Sequence, residues 1–354
     1  MSDKMRNILT SQPVEASAPC RADMGGTLDI STFYYPLRHL NPCTFNIALG
    51  LRTRVRLRPC DEGMVRVSSE GIGSAEYPLD QAPFDHPLGL MFAIAAYFRA
   101  EGVHIEVDSA SPPRSALGGS SVAAVALIGA FSSLFRKMGA YRDLYRREIA
   151  ILAHALEECV AGVPCGLQDQ LAAAYGGVNA WQWYGRVKEA VFEREVMIKK
   201  KRVADFEKHI LVAYCGVPHV SADINGQWVR QFLNGRDRVR WAEIIRITQQ
   251  FIGAIKAGNY GDAIDAMNRE TAIRREMTPD VVDEIGAALV ETALEKGCGA
   301  RFTGAGGGGC IWALGETGNI DSLRAAWEKV LSEREEACLL DTGIDSDGLT
   351  LPIL

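Results

Sequence analysis

The stretch that most restricts what this chain can fold into runs from Val103 to the apolar residues beyond Ser121. Val103, Ile105 and Val107 alternate with polar residues, the period of two expected of a half-buried strand. Ser109-Ala-Ser-Pro-Pro-Arg-Ser-Ala-Leu-Gly-Gly-Ser-Ser121 follows, and the sequence then turns alanine-rich and apolar, as a buried helix requires. The order predicts strand, glycine-serine turn, helix. Such a turn offers unobstructed backbone N–H groups at the positive end of a helix dipole, the donors a polyphosphate needs. Ala116-Leu-Gly-Gly-Ser-Ser121 meets that need without being a Walker A loop, because the Gly-Lys-Ser/Thr ending is missing. In isolation a tight turn with a serine N-cap would look the same.

At 354 residues the chain exceeds what one hydrophobic core usually supports, and two domains are expected. Apolar residues make up 47% and charged residues 23%, an ordinary globular balance. A formal charge of −6 argues against a nucleic-acid partner, whose phosphates would call for a basic surface, and favours small-molecule chemistry. The nine cysteines are scattered, with no CxxC pair and no Cys/His cluster at zinc spacing, so free thiols in a reducing compartment are expected. The longest apolar run, Leu88 to Phe98, is too short to span a bilayer. The chain therefore reads as soluble and cytoplasmic, with no membrane partner and with monomer and homodimer both open.

Residues 1 to 17 read as a loose leader, because Ser, Gln, Pro and Glu interrupt every apolar pair. From Gly50 to Pro59, Arg52, Arg54, Arg56 and Arg58 alternate with Leu51, Thr53, Val55 and Leu57, a strand with one wet, basic face. Tyr145, Ile149, Leu152, Leu156 and Cys159 are spaced alternately four and three residues apart and share a helix face. That helix stops near Ala161-Gly-Val-Pro164, and Asp169 follows in Cys165-Gly-Leu-Gln-Asp-Gln-Leu171. A Lys/Arg/Glu-rich stretch from 186 to 208 precedes a strand from His209 to Tyr214 and sets the domain boundary near 200. Trp241, Ile245, Thr248, Ile252 and Ile255 mark a further helix, and Val281 to Lys296, stopped by Gly297, another. Phe302-Thr-Gly-Ala-Gly-Gly-Gly-Gly-Cys-Ile-Trp-Ala-Leu314 is a glycine run entering an apolar strand.

Three segments, in this order, resemble the motifs of the GHMP kinase superfamily: Ala18-Pro-Cys-Arg-Ala-Asp-Met-Gly-Gly-Thr-Leu-Asp29, Pro112-Pro-Arg-Ser-Ala-Leu-Gly-Gly-Ser-Ser121 and Thr303-Gly-Ala-Gly-Gly-Gly-Gly-Cys310. Gly166-Leu-Gln-Asp-Gln170 lies between the last two. One glycine run would say little, whereas three spread over nearly the whole chain are jointly specific. The resemblance implies an α+β, two-domain GHMP kinase fold. Its N-terminal domain (18–200) is like the second domain of ribosomal protein S5, its C-terminal domain (201–354) is ferredoxin-like, and ATP and substrate share the cleft between them. The resemblance assigns the nucleotide to Pro113, Ala116, Leu117, Gly118, Gly119, Ser120 and Ser121, supported by Gly304, Gly306 and Gly307. Mg2+, which prefers hard oxygen ligands, falls to Ser120 and Glu157, with Glu158 a near competitor.

In the same resemblance Asp169 matches the aspartate that lies against the acceptor hydroxyl as general base or orienting acceptor. Arg21 matches its partner arginine, which would hold the carboxylate ionised and stabilise charge on the transferring phosphoryl group. Asp29, with Gly26 and Thr27, is implied to bind sugar hydroxyls, and Asp23 either faces the sugar or caps a local turn. His219 and Ser221 lie in a segment similar to one near the cleft of heptose kinases, without a committed role. Arg52 and Arg114 are candidates for a substrate phosphate by charge alone.

Gly25-Gly-Thr-Leu-Asp29, despite an extra Leu28, and Gly166-Leu-Gln-Asp-Gln170 lean towards heptose 7-phosphate kinases. Pro164-Cys-Gly and the third motif lean towards galactokinases, and the first two segments speak against mevalonate- or homoserine-type kinases. The implied activity is therefore that of an ATP-dependent sugar kinase acting on the anomeric hydroxyl of a heptose 7-phosphate. A galactokinase-type hexose kinase and a catalytically idle ATP- and sugar-binding sensor are the alternatives.

Overall fold

The computed structural model describes residues 2–140, 144–162, 164–186, 191–218 and 221–351. Helix α1 (Ser2–Ser11) leads into β1 (Val14–Met24), and the short helix α2 (Ser31–Tyr34) precedes the long strand β2 (Cys43–Pro59). The hairpin β3 (Met64–Ser69) and β4 (Gly73–Pro78), helix α3 (Gly89–Tyr97) and strand β5 (Val103–Ser109) follow. Helices α4 (Gly119–Lys137), α5 (Arg146–Ala161) and α6 (Gln168–Tyr175) come before β6 (Val178–Trp183) and β7 (Phe192–Ile198). These strands form one sheet in the order β4-β3-β5-β2-β6-β7, with β1 on β2. The β3–β5 pair is parallel and the others antiparallel.

The second half begins with the short helix α7 (Val203–Phe206) and strand β8 (Ile210–Tyr214). Helices α8 (Ser221–Leu233), α9 (Arg238–Ala257), α10 (Tyr260–Met277) and α11 (Glu284–Glu295) follow. Strands β9 (Gly299–Phe302) and β10 (Cys310–Leu314), helix α12 (Thr317–Leu331) and strand β11 (Cys338–Leu339) complete it. Its sheet is antiparallel in the order β11-β8-β10-β9, with α10, α11 and α12 packed on it. The fold is α+β, with the S5-like sheet first and the ferredoxin-like sheet second.

The halves interlock. Ile247, Phe251 and Ile255 of α9 lie in the core of the first sheet. The chain end also returns, pairing Ile344 with Leu49 and Thr350 with Ser17. Arg52 fastens this tail: it pairs with Asp345, and its Nη2 donates to the carbonyls of Ser17 and Gly348, each at 2.7 Å. Arg52 is thus a structural staple and is not available for a substrate phosphate.

The expected loose leader is a packed helix. Met5 and Leu9, one turn apart on α1, are each 2% exposed and join the first core. These two side chains at i and i+4, with Ile8 packed beside them, seat the helix on the core, and the polar residues around them conceal the pair from a reading of neighbours. Helix α4 is long and apolar enough by composition to cross a membrane, but 83% of its apolar window is buried inside the protein. Val122, Val125, Leu127, Ile128, Phe131, Leu134 and Phe135 on it are fully enclosed. At roughly 1.5–3 kcal/mol for each large apolar side chain, this burial fixes the helix whose first turn carries the glycine-serine loop. All nine cysteines are free thiols.

Candidate active site

The loop joining β5 to α4 has positive φ at every second residue: Arg114 (53°), Ala116 (60°) and Gly118 (82°). Alternating left-handed and ordinary residues curl successive N–H groups into a concavity suited to anions. Gly118 is the N-cap of α4 and provides no side-chain cap, so the first-turn N–H groups of Gly119, Ser120 and Ser121 are left for another acceptor. Leu117 differs from its neighbours. Its side chain is buried and its carbonyl accepts the Arg21 N–H at 3.1 Å, anchoring the loop to β1. Pro113 sits outside, against the β3–β4 turn at Gly71, and Arg114 is exposed.

Glu157 closes one side of this loop. Its Oε1 accepts from Ser120 Oγ at 2.5 Å, and its Oε2 accepts from Ser121 Oγ at 2.6 Å and Gln170 Nε2 at 2.7 Å. Burial raises its carboxyl above the usual range, opposed by these donors. The buried face of α5 is Ile149, Ala150, Ala153 and Glu157, whereas Tyr145 and Cys159 of the expected stripe are exposed. Small alanines let α5 approach α4 closely and aim Glu157, one turn on from Ala153, at the serines. Glu158 faces solvent. Ser120 Oγ and Glu157 Oε1, two hard oxygens at the start of α4, fit a Mg2+ ion that keeps phosphate and water among its ligands.

Asp169, in the first turn of α6, meets Arg21 as a fork. Arg21 Nε donates to Oδ1 at 2.7 Å and Nη2 to Oδ2 at 2.8 Å, while Nη1 donates to the Ala116 carbonyl at 2.7 Å. One guanidinium thus joins β1, α6 and the phosphate loop. A Cβ at Gly118 would lie 3.1 Å from Asp169 Oδ2, so the carboxylate rests against the helix cap. Its side chain is 21% exposed and open to an acceptor. Arg21 alone would hold Asp169 low, but burial outweighs it and the carboxyl is raised, which makes it a stronger base. Burial disfavours the Arg21 charge, yet Asp169 and Asp23 more than offset that and keep it protonated.

Asp29 lies beside this pair. Its Oδ2 accepts the Gln168 main-chain N–H at 3.0 Å, and burial pushes its carboxyl up to about 6. Gly166 makes room for it, since a Cβ there would fall 1.8 Å from Oδ2. The extra Leu28 is absorbed by Thr27, a β-branched residue at φ 80°, while Leu28 itself is buried in the second core. Gly26 and Thr27 are gripped from the other half: Arg274 Nη2 donates to the Gly26 carbonyl at 2.6 Å, and its Nη1 lies 3.4 Å from Thr27 Oγ1.

That grip belongs to an ionic cluster the sequence did not announce. Glu270 Oε1 accepts from Arg274 Nε at 2.9 Å and Oε2 from Arg301 Nε at 2.8 Å, while Arg301 Nη1 reaches Asp23 Oδ2 at 3.0 Å. All four side chains are fully buried, and the Arg274 guanidinium carbon lies 4.7 and 4.6 Å from the ring centroids of Trp228 and Trp241. Burial lowers Arg274 to about 10. Burial works to raise Glu270, but the two arginines prevail and leave it low. Asp23 Oδ1 also accepts the Gly304 N–H at 2.6 Å. Asp23 therefore ties the first motif to the third and does not face a sugar. The available signal was Arg301, a charge inside the apolar strand that ends at Phe302.

The third motif meets the phosphate loop through Gly304 and Gly309. A Cβ at Gly304 would be 3.2 Å from the Ala116 carbonyl, and one at Gly309 would be 2.6 Å from that of Ser115. Gly306 and Gly307 pack elsewhere: the Gly307 N–H donates to the Val281 carbonyl at 2.7 Å, and Cβ atoms on the two would strike Val281 and Ile224. They shape the turn and do not touch the loop. His219 lies outside the described residues, as does the side chain of Ser221 at the start of α8.

Residues 88–177 match the family model of the GHMP kinases N terminal domain, and residues 251–333 that of the GHMP kinases C terminal region. The mevalonate kinase of Thermococcus sibiricus is 27% identical over 292 residues, 75% of this chain and 81% of that protein. The D-glycero-alpha-D-manno-heptose 7-phosphate kinase of Campylobacter jejuni is 24% identical over 203 residues, 57% of this chain and 58% of that one. The Lactococcus lactis galactokinase, solved with galactose, superposes with a TM-score of 0.76 at 18% identity, covering 99% of this chain and 98% of that one. With the family's N- and C-terminal models matched in order, and its fold shared along almost the whole length, this chain belongs to the GHMP kinase superfamily.

Proposed function

We propose that the protein transfers the γ-phosphoryl group of Mg-ATP to a sugar hydroxyl, foremost the anomeric hydroxyl of a heptose 7-phosphate. The observation that carries this reading is the charge state of the acceptor side. Arg21 is committed to Asp169, and Arg274 and Arg301 to Glu270 and Asp23. Among the described residues, Asp29, Asp169 and the side-chain amide of Gln168 are the groups that remain to meet an acceptor. Carboxylates and amides bind the hydroxyls of a polyol, and an anionic group elsewhere on the acceptor, whether the carboxylate of a hydroxy acid or the 7-phosphate of a heptose, would call for a cation beyond this patch.

On this reading the Gly118–Ser121 turn binds the phosphates through main-chain N–H groups, and Ser120 and Glu157 hold Mg2+, which neutralises phosphate charge when bound. Asp169 accepts the proton of the attacking hydroxyl at a carboxylate oxygen, in a position set by the Arg21 fork. Asp29 accepts a hydrogen bond from a second hydroxyl and fixes the ring.

Mevalonate kinases among the curated relatives support a second reading, a hydroxy-acid acceptor. The test is ATP consumption with Mg2+ against D-galactose, L-fucose, mannose, sedoheptulose 7-phosphate, D-glycero-D-manno-heptose 7-phosphate and mevalonate, with Asp169→Asn as control. Turnover on a sugar that disappears in the variant supports the proposal. Turnover on mevalonate alone overturns it, and tight ATP and sugar binding without turnover identifies the idle sensor.

A further inference from the structure

We infer that Gln168 is a sugar-binding residue whose side-chain amide contacts the hydroxyl next to the one phosphorylated, so that acceptors are selected for a vicinal hydroxyl. The inference rests on the sugar-kinase reading above. Gln168 opens α6 one residue before Asp169 and is 4% exposed. Its main-chain N–H holds Asp29, and its side chain lies against the first motif: a Cβ at Gly26 would sit 2.9 Å from Nε2. Gly26, Asp29, Gln168 and Asp169 are therefore contiguous.

Within this patch Gln168 Oε1 is buried without a hydrogen-bond partner among the described residues. Exchanging the two ends of the amide would leave a donor unpaired in its place. Beneath it, Asn46 Nδ2 donates to the Gln168 carbonyl at 3.3 Å, while Asn46 Oδ1 is likewise buried and unpartnered among the described residues. Buried polar atoms are nearly always paired in native proteins, so an orphan amide at the acceptor site points to a ligand as its partner. Gln170, two residues on, also has a buried Oε1 without a partner among the described residues, but its amide nitrogen is committed to Glu157 and Ser121.

The chemistry also needs Gln168. Asp29 and Asp169, when ionised, only accept hydrogen bonds, but each sugar hydroxyl carries lone pairs as well as a proton. An amide both donates and accepts, and so supplies what two carboxylates lack. Asp169 takes the attacking hydroxyl, and Gln168, whose Nε2 lies against Gly26 and whose main-chain N–H holds Asp29, is placed on the same patch to meet a neighbouring hydroxyl. For an anomeric acceptor that group is the 2-hydroxyl.

The test uses the full-length protein and the variants Gln168→Met and Gln168→Glu, both of which retain the N–H that holds Asp29. The sugar turned over in the panel, and galactose in any case, is compared with its 2-deoxy analogue by steady-state kinetics and by calorimetric binding. The wild type is expected to favour the hydroxylated sugar about tenfold, the worth of one neutral hydrogen bond. Gln168→Met should raise the acceptor KM by about the same factor, leave the ATP KM unchanged and lose the discrimination. Gln168→Glu should also lose affinity, more steeply as pH rises, because it adds a third acid beside Asp29 and Asp169.

A Gln168→Met enzyme with wild-type acceptor KM and intact discrimination overturns the inference and leaves the sugar-kinase reading standing. Equal use of the sugar and its 2-deoxy analogue by the wild type does the same, whether or not the variants fold. A wild type that neither binds nor phosphorylates any sugar of the panel overturns both.

Discussion

Asp29 is held in a state that costs stability, and the size of that cost follows from its surroundings. It is 4% exposed, and burial lifts its carboxyl from 3.8 to about 6, with Asp169 adding to the shift and the Gln168 N–H opposing it. A carboxyl with a raised folded pKa binds more protons folded than unfolded between about pH 4 and pH 6, so stability falls as pH rises through that window. The full penalty is present above about pH 6. Two units at about 1.36 kcal/mol each amount to ~3 kcal/mol. Asp29→Asn removes the charge and keeps an oxygen to accept the Gln168 N–H, so the variant should be about 1–3 kcal/mol more stable than wild type near pH 8 and equal to it near pH 4. All six tryptophans are buried, which makes urea unfolding readable by fluorescence. The same variant should bind acceptor about 10- to 100-fold more weakly, since it loses a charged hydrogen bond to a hydroxyl. A stability difference that does not change between pH 4 and pH 7, or a variant less stable near pH 8, would refute the reasoning.

Asp169→Asn should lower kcat by about 10²–10⁴ while leaving ATP affinity intact, measured by steady-state turnover and nucleotide titration. Glu157→Gln should raise the Mg2+ concentration needed for half-maximal activity at least several-fold, because one of two oxygens at the start of α4 loses its charge; a Mg2+ titration reads this directly. Glu270→Gln leaves Arg274 and Arg301 buried without their shared carboxylate and should cost about 3–5 kcal/mol in urea unfolding. Because Glu270 is held low, its contribution is present above about pH 4 and lost as the pH falls further, so this variant should also lack part of the acid-induced loss of stability seen in the wild type.

What the sequence revealed and what it hid divide along a physical line. The glycine turn at 116–121 and the run at 303–310 were legible because each is contiguous, and a left-handed or close-packed backbone needs glycine at fixed neighbouring positions. Arg21 and Asp169 stand 148 residues apart, so their fork was available only by resemblance. Glu157 escaped the apolar stripe because the buried face of α5 is Ile149, two alanines and an acid, so the large side chains, of which Leu152 and Leu156 are only partly buried, mark a face rotated from it that shares Ile149. Met5 and Leu9 failed for a related reason, being a few apolar residues, with Ile8, in a short and largely polar segment.

The buried cluster shows why motifs alone under-describe such a site. Charges in a sequence read as solvated, yet Asp23, Glu270, Arg274 and Arg301 are wholly enclosed and join the first motif to the third through the Gly304 N–H and the Gly26 carbonyl. A chain with apolar residues at all four positions, Asp23, Glu270, Arg274 and Arg301, would keep every motif glycine, and apolar replacement of a whole buried ionic group is often neutral for stability. It would lose the contact that Arg274 makes with Gly26, and with it the register of the loop that carries Thr27 and Asp29. Motif retention is therefore compatible with a folded protein whose acceptor loop is misplaced, and the presence of this cluster is the stronger sign that the acceptor site is built for use.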